Sequence, residues 1–396
     1  WCNMFKLRYS WGKVGNDNLN IGGIQYRFPY LYTIGDGGSY QWGDYSYDRN
    51  YVGLKYTDVA SVGATWEVAT KHDVGVDLSL FNDKFTATVD YFHEQRDGIW
   101  MERKYLPAII GLSGITPRAN VGSVLSEGFD GNFAYRQKIG KVDITVRGNI
   151  TYSKNTVLEK DEENNVYPYQ MEEGYRVDQA KGLIALGLFK DYDDIRNSPK
   201  QEFGTVQPGD IKYKDVNGDG VVNDGDRVAI GATTRPNMIY GFGISGTWKG
   251  FDLNMFFSSI IRDAFNNSKY YTDLFQCWNG NHGTRLLNAA AAYDKFLETG
   301  YYDCDTPAPT TDNSNNENEV SEFHIENGSF LRLKTLTLGY TLPQTLRNKL
   351  KLQNARIYLQ GQNLFTVTGY KGADPEGLGY PYALPKQFTV GIQFGF

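Results

Sequence analysis

QFTVGIQFGF, residues 387–396, is the stretch on which the fold turns. Phe388, Val390, Ile392, Phe394 and Phe396 fall on one face; Gln387, Thr389, Gly391, Gln393 and Gly395 fall on the other. That alternation is strand spacing, and a strand of this length, at about 3.3 Å per residue, makes one tilted membrane crossing. Apolar toward lipid and polar toward a lumen is the pattern of an outer-membrane barrel. Alone, the segment fits one strand of a soluble sandwich equally well. The remaining strands decide.

Composition narrows the field. The chain has 396 residues, 15 % of them aromatic, with a mean hydropathy of −0.49 and a net charge of −6. No run approaches the 18 apolar residues of a helical span, whereas a barrel strand shows lipid only alternate residues. The acidic balance speaks against nucleic acid as a partner. Cys2, Cys277 and Cys304 form no CxxC motif, and Cys277 and Cys304 share a polar loop in which they can pair. The chain opens at WCNMFKLRYSWG, already in a strand pattern and without a signal peptide, so we expect a piece lacking its natural start.

Taken in order, alternation marks strands at about 3–12, 67–80, 84–96, 124–137, 142–153, 238–248, 251–259, 330–342, 355–365 and 387–396. Residues 142–153 are the cleanest, with Val142, Ile144, Val146, Ile150 and Tyr152 against Asp143, Thr145, Arg147, Asn149 and Thr151. The eighth is irregular: Arg332 and Lys334 share the face that later carries Leu336 and Leu338, which predicts a bulge. The run Ala289–Ala292 predicts a short helix on a loop, and TTDNSNNENE at 310–319 is low-complexity. Short connections (81–83, 139–140, 249–250, 343–354) alternate with long ones (13–65, 98–122, 155–237, 264–327, 368–386). Barrels have short periplasmic turns and long extracellular loops, and a soluble sandwich gives no reason for that parity. The fold class is therefore all-β, a membrane β-barrel.

Four segments also resemble SusC/RagA-type TonB-dependent outer-membrane transporters: WEVATKHDVGVDLSLFNDKFTATVDYF (66–92), RPNMIYGFGISGTWKGFDLNMFF (235–257), GSFLRLKTLTLGYTLP (328–343) and NLFTVTGYKGADPEG (363–377). They occur in the family's order along the whole chain. The resemblance implies a 22-stranded barrel of the outer membrane of a Gram-negative bacterium, with these residues as its C-terminal ten antiparallel strands. It implies a plug domain and TonB box that this chain lacks, a SusD-like lipoprotein lid, TonB–ExbB–ExbD as energy source, and dimers of transporter–lid pairs. The cargo it implies is oligosaccharide or oligopeptide.

DVNGDGVVNDGD, residues 215–226, is the sharpest local motif. Asp215, Asn217 and Asp219 occupy loop positions 1, 3 and 5, Gly220 the turn, the Val221 carbonyl position 7, Asn223 position 9 and Asp226 position 12. A hard cation needs six to eight oxygens, and this spacing can wrap them around one Ca²⁺ in a structural role. The pattern has Asp226 where a bidentate Glu is usual, and no flanking helices. An Asx/Gly-rich turn without metal is the competing reading.

Aromatic residues crowd two long loops: Tyr40, Trp42, Tyr45 and Tyr47 in one; Tyr270, Tyr271, Phe275 and Trp278 in the other. Such rings stack on sugars, bury peptide side chains, contact a lid or form a loop core. Trp11, Tyr152, Trp248 and Tyr340, near strand ends, read as interfacial girdle residues. His72, His93, His282 and His324 are scattered, and no enzyme constellation emerges. Active import is the leading reading; a passive porin or surface-binding barrel is the alternative.

Overall fold

The computed structural model describes residues 1–21, 23–41, 50–104, 109, 115–162, 167–231, 235–262, 265–266, 284–308, 319–370, 374–376 and 383–396. Ten strands form a wall: β1 (Cys2–Asn16), β2 (Glu67–Leu80), β3 (Phe85–Glu102), β4 (Arg118–Ile139), β5 (Val142–Glu159), β6 (Met238–Trp248), β7 (Phe251–Ile261), β8 (Phe330–Thr341), β9 (Asn354–Gln362) and β10 (Gln387–Gly395). Each pairs antiparallel with the next, so the sheet is one meander with β1 and β10 as its edges. Thr366–Thr368 adds a short strand beside the start of β8.

The short connections all lie at one edge of the sheet and the long ones at the other, as the sequence predicts. Left-handed residues close the tight turns: Phe81, Asn82 and Asp83 at φ 57, 59 and 60°, and the pair Lys249–Gly250 at 46 and 90°. Positive φ at both central residues matches the right-handed twist of the flanking strands. The longest turn carries a helix of its own, Gln344–Leu350.

Reading across the sheet makes the two faces explicit. On one face Tyr9, Val74, Tyr91, Phe129, Tyr152, Met238 and Ile261 lie side by side as one rung near the long-loop edge. At the turn edge the corresponding rung is Ile139, Val142, Trp248, Phe251, Tyr340, Ile357 and Ile392. Along β5 these rungs are reached at Tyr152 and Val142, a span that covers about 25 Å of bilayer once strand tilt is included. Val390 and Phe5, which lie on this face, are 74 % and 66 % exposed. The opposite face runs Asp77, Thr88, Asn132, Asn149, Gly241, Ser258, Arg332 and Thr366 along a single rung. An apolar band bounded by aromatic residues, backed by a polar face, is the wall of a membrane β-barrel. No helix of the described residues is long and apolar enough to cross a membrane, which says nothing of strands.

Two expectations need correction. Several strands outrun the alternating pattern: β1 reaches Asn16, β5 reaches Glu159, and β3 and β4 stay paired out to Glu102–Arg118. The loop expected at 98–122 therefore shrinks to 103–117. Beyond the apolar band a ribbon meets water on both faces, so its sequence has no reason to alternate. The stretch 155–237, polar by composition, also holds fully buried apolar residues.

The bulge expected in the eighth strand is present. Phe256 pairs with Thr335 but Phe257 with Leu333, leaving Lys334 as the extra residue. Parity flips there, so Arg332 joins the polar face. The partner strand breaks at the same height, at Asn363 (φ 52°), whose N–H donates to the Lys334 carbonyl.

Candidate transport lumen and loop module

Ion pairs laid flat across glycines line the polar face. Arg8, Gly75 and Asp90 share one rung; the guanidinium crosses the glycine to reach Asp90 at 2.8 Å and Asp77 at 3.0 Å. Arg356 repeats the device past Gly339, reaching Asp252 at 2.9 and 2.5 Å. A Cβ on either glycine would overlap the ion pair. Arg147, Asp252, Asn254, Arg356, Gln360 and Gln393 line a groove of about 530 Å³ on this face. Asp143, Asn149 and Gln362 lie on the same side by register. The surface offers hydrogen bonds and fixed charges to a hydrated solute.

Above the long-loop edge, two connections build a module with its own core. Leu183, Leu188, Ile211, Tyr213 and Val222 come from one connection; Phe296, Tyr302 and Ala308 come from the other. Ala185–Leu188 pairs with Ile211–Tyr213, and Lys200–Gln201 runs parallel to Val221–Val222. A short helix, α1 (Tyr192–Arg196), is capped by Asp191, whose carboxylate accepts from the Asp194 N–H. The Gln201 side chain stitches the small sheets together, donating to the Ile211 carbonyl (3.0 Å) and accepting from the Tyr213 N–H (2.6 Å). The second connection brings α2 (Thr284–Thr299), which contains Ala289–Ala292 and is longer than the short helix expected. Its fully buried Ala289 and its Phe296 face the module, and the Tyr302 N–H closes onto the Lys190 carbonyl at 2.7 Å.

The 215–226 loop sits inside this module, just after the core residue Tyr213, and contributes Val222 to the core. Asp226 is fully buried; its Oδ1 accepts from the N–H groups of Val216 (2.8 Å) and Asn217 (3.3 Å), its Oδ2 from that of Asn223 (2.8 Å). Asp215 accepts from Gly218 and Gly220, Asp219 from Val221, and Asn223 from Gly225. Gly218 and Gly220 take φ of 77 and 85°, the left-handed conformation that the loop's reversal requires. Burial pushes the Tyr169 hydroxyl pKa up, and the carboxylates of Asp226, Asp215 and Asp219 add to it. Tyr169 donates to the Gly225 carbonyl at 2.6 Å. The three carboxylates all act on that hydroxyl, but among the described residues no three acidic, His or Cys side chains converge as a ligand set. As it stands, the loop satisfies its oxygens with its own backbone N–H groups.

Of the aromatic candidates, Tyr40 lies on an exposed two-stranded ribbon, Thr33–Gln41 with Asn50–Asp58, opposite Tyr51. Trp42, Tyr45, Tyr47, Tyr270, Tyr271, Phe275 and Trp278 lie outside the described residues, as do Cys277 and the run at 310–318. His72 and His93 face each other across β2 and β3, with rings 6.2 Å apart. At the turn edge Trp248, Phe251 and Tyr340 form a contiguous aromatic row.

Comparison with known proteins says what this wall is similar to. TonB-dependent receptor P3 of Formosa agariphila is 26 % identical over 422 residues, covering 99 % of this chain and 39 % of that protein. TonB-dependent receptor SusC of Bacteroides thetaiotaomicron is 24 % identical over 406 residues, covering 99 % and 37 %. The chain resembles SusC-type TonB-dependent receptors from end to end. Among solved structures, the RagAB peptide transporter superposes with a TM-score of 0.69 at 23 % identity, covering all of this chain and 41 % of that one. No protein-family model matches the sequence. The chain spans about 40 % of the length of these relatives.

In this SusC-like wall, sequence reasoning missed a buried ion network at the long-loop edge. Arg332, 2 % exposed, donates to Thr366 (2.8 Å), Asp374 (2.7 Å) and Glu376 (2.8 Å). Lys334 reaches both Glu376 oxygens at 2.6 Å. Burial disfavours the charge on Asp374, but the backbone N–H groups of Leu384 and Glu376 and the Arg332 guanidinium hold its pKa below the ordinary value. The visible signal was the misplaced basic pair on the eighth strand; its acidic partners lie some forty residues away, beyond any local pattern.

Proposed function

We propose that this chain is the C-terminal wall and loop module of an outer-membrane importer. It takes up oligosaccharides or oligopeptides, is energised through TonB–ExbB–ExbD, and works with a SusD-like surface lipoprotein. The observation that carries the reading is the pairing of end-to-end likeness to TonB-dependent receptors with a polar inner face of pinned charges behind an apolar belt. The module and the ribbon bearing Tyr40 supply a folded surface on which a lid can dock. The receptors and transporters it resembles are not described as enzymes. Deleting TonB from a strain that depends on the whole protein for its glycan or peptide should abolish growth on that nutrient. Free passage of the solute through liposomes holding the intact protein would instead establish a porin.

We further propose that the 215–226 loop binds Ca²⁺ through Asp215, Asn217, Asp219, the Val221 carbonyl, Asn223 and Asp226. Both Asp215 oxygens and Asp226 Oδ2 keep a lone pair beyond their single backbone N–H partners, and the ion would neutralise the carboxylates that act on Tyr169. Its role is to tighten the module, with no part in moving solute.

A further inference from the structure

Two arginines enter the polar face near the long-loop edge, and their surroundings differ sharply. Arg332 has a partner at each guanidinium nitrogen. Arg262, the residue after β7, is only 7 % exposed, yet its Nε and Nη1 have no hydrogen-bond partner among the described residues. Its backbone is fixed: the Arg262 N–H donates to Ser329 Oγ (3.1 Å), that hydroxyl donates to the Arg262 carbonyl (3.1 Å), and Thr368 Oγ1 donates to the Ser329 carbonyl (2.8 Å). The backbone of Arg262 is therefore held in place, while among the described residues no carboxylate bonds its buried guanidinium.

The neighbouring carboxylates are already committed. Asp374 accepts from Arg332 and from the N–H groups of Glu376 (2.9 Å) and Leu384 (3.0 Å). Both oxygens of Glu376 serve Lys334, and one also serves Arg332. Glu376 and Tyr370 act on Arg262 only at a distance, and burial lowers the guanidinium pKa despite them. Among the described residues the cluster holds Arg262, Arg332 and Lys334 against Asp374 and Glu376, an excess of one positive charge. A guanidinium stays protonated in proteins, and leaving it buried and unpaired is strongly unfavourable.

We propose that Arg262 receives a carboxylate from outside the described residues, at the Nε or the Nη1 edge of its guanidinium, where the N–H groups have no partner among the described residues. The carboxylate belongs either to a dissolved solute in the lumen or to another part of the assembled protein. If a solute supplies it, the imported cargo carries an acidic group, which deepens the importer reading and rests on it.

The test uses the whole protein in detergent, with sodium acetate as the probe against sodium chloride at equal sodium concentration. If a solute supplies the carboxylate, acetate raises the wild-type melting temperature saturably, and Arg262→Met abolishes the rise while Arg262→Lys keeps part of it. If the protein supplies it, acetate has no effect and Arg262→Met melts well below the wild type. Arg262→Met melting at or above the wild type, without a loss of acetate response, overturns the proposal. Should the variant not assemble, a wild-type structure of the whole protein decides: no oxyanion within hydrogen-bond range of Nε or Nη1 overturns it equally. Neither readout depends on transport, so loss of the importer reading would leave the acetate result standing.

Discussion

The wall and the module solve the same problem in opposite directions. In the wall, Val146, Phe242, Leu338 and Val390 point outward into lipid, and the inner face is polar. In the module, Leu183, Ile211, Tyr213 and Val222 point inward, buried almost completely, and the surface is polar. Water is the solvent for one and hydrocarbon for the other. Both regions are strand-rich, but only the wall must satisfy every backbone group through neighbouring strands. The module can use short two- and three-residue strands joined by side-chain bonds such as those of Gln201.

The largest effect is expected where a third segment docks on the wall. Asp374→Asn leaves the buried Arg332 with only the Glu376 carboxylate, which it shares with Lys334, a loss of up to about 3–5 kcal/mol. Residues 374–384 should become protease-sensitive while the apolar belt stays inserted; unchanged proteolysis would dissociate the segment from the ion network. The same pair sets a pH dependence. Asp374 has its folded pKa below its unfolded value of about 4, so its contribution is present above that pH and is lost as pH falls through the folded value. Melting of the whole protein should therefore steepen in acid, and Asp374→Asn should flatten that dependence.

Ile211→Ala tests the inward core. Truncating this fully buried side chain costs about 2–5 kcal/mol, expected to open the module to protease while the barrel still resists heat in detergent. Collapse of both regions together would show that they fold as one unit. Val146→Arg is the mirror experiment. Arginine near the bilayer midplane on the lipid face costs about 2–4 kcal/mol, whereas Thr145→Arg on the inner face should cost far less. Equal assembly yields for the two would erase the distinction between the faces.

Calcium should give the smallest shift. Chelation is expected to speed proteolysis within the 181–230 region a few-fold and leave the wall intact, with Asp215→Ala reproducing the change without chelator. Identical digestion in all conditions returns the loop to a self-bonded turn.

What could be read from sequence follows the same division. Period-two alternation in β5 and β10 survives because lipid and lumen impose one rule on every strand, and the short turns mark register. The module defeated that reading. Its core joins residues from 183 to 308 across two connections, and strands as short as Val221–Val222 carry no period. Lys334 was half legible: the broken alternation announced a bulge, but Asp374 and Glu376, which explain why the basic pair turns inward, come from a distant loop. The 215–226 motif was legible as a loop of oxygens; which of its lone pairs serve N–H groups required coordinates.

The central claim is that the module and the tight turns lie on opposite sides of a membrane. With the native cysteines replaced by serine in the whole protein, single cysteines at Glu298 in α2 and at Lys249 in the turn between β6 and β7 can be exposed to a membrane-impermeant maleimide on intact cells. The account predicts labelling at 298 without permeabilisation and at 249 only after it. Equal labelling of both positions in intact cells would contradict it.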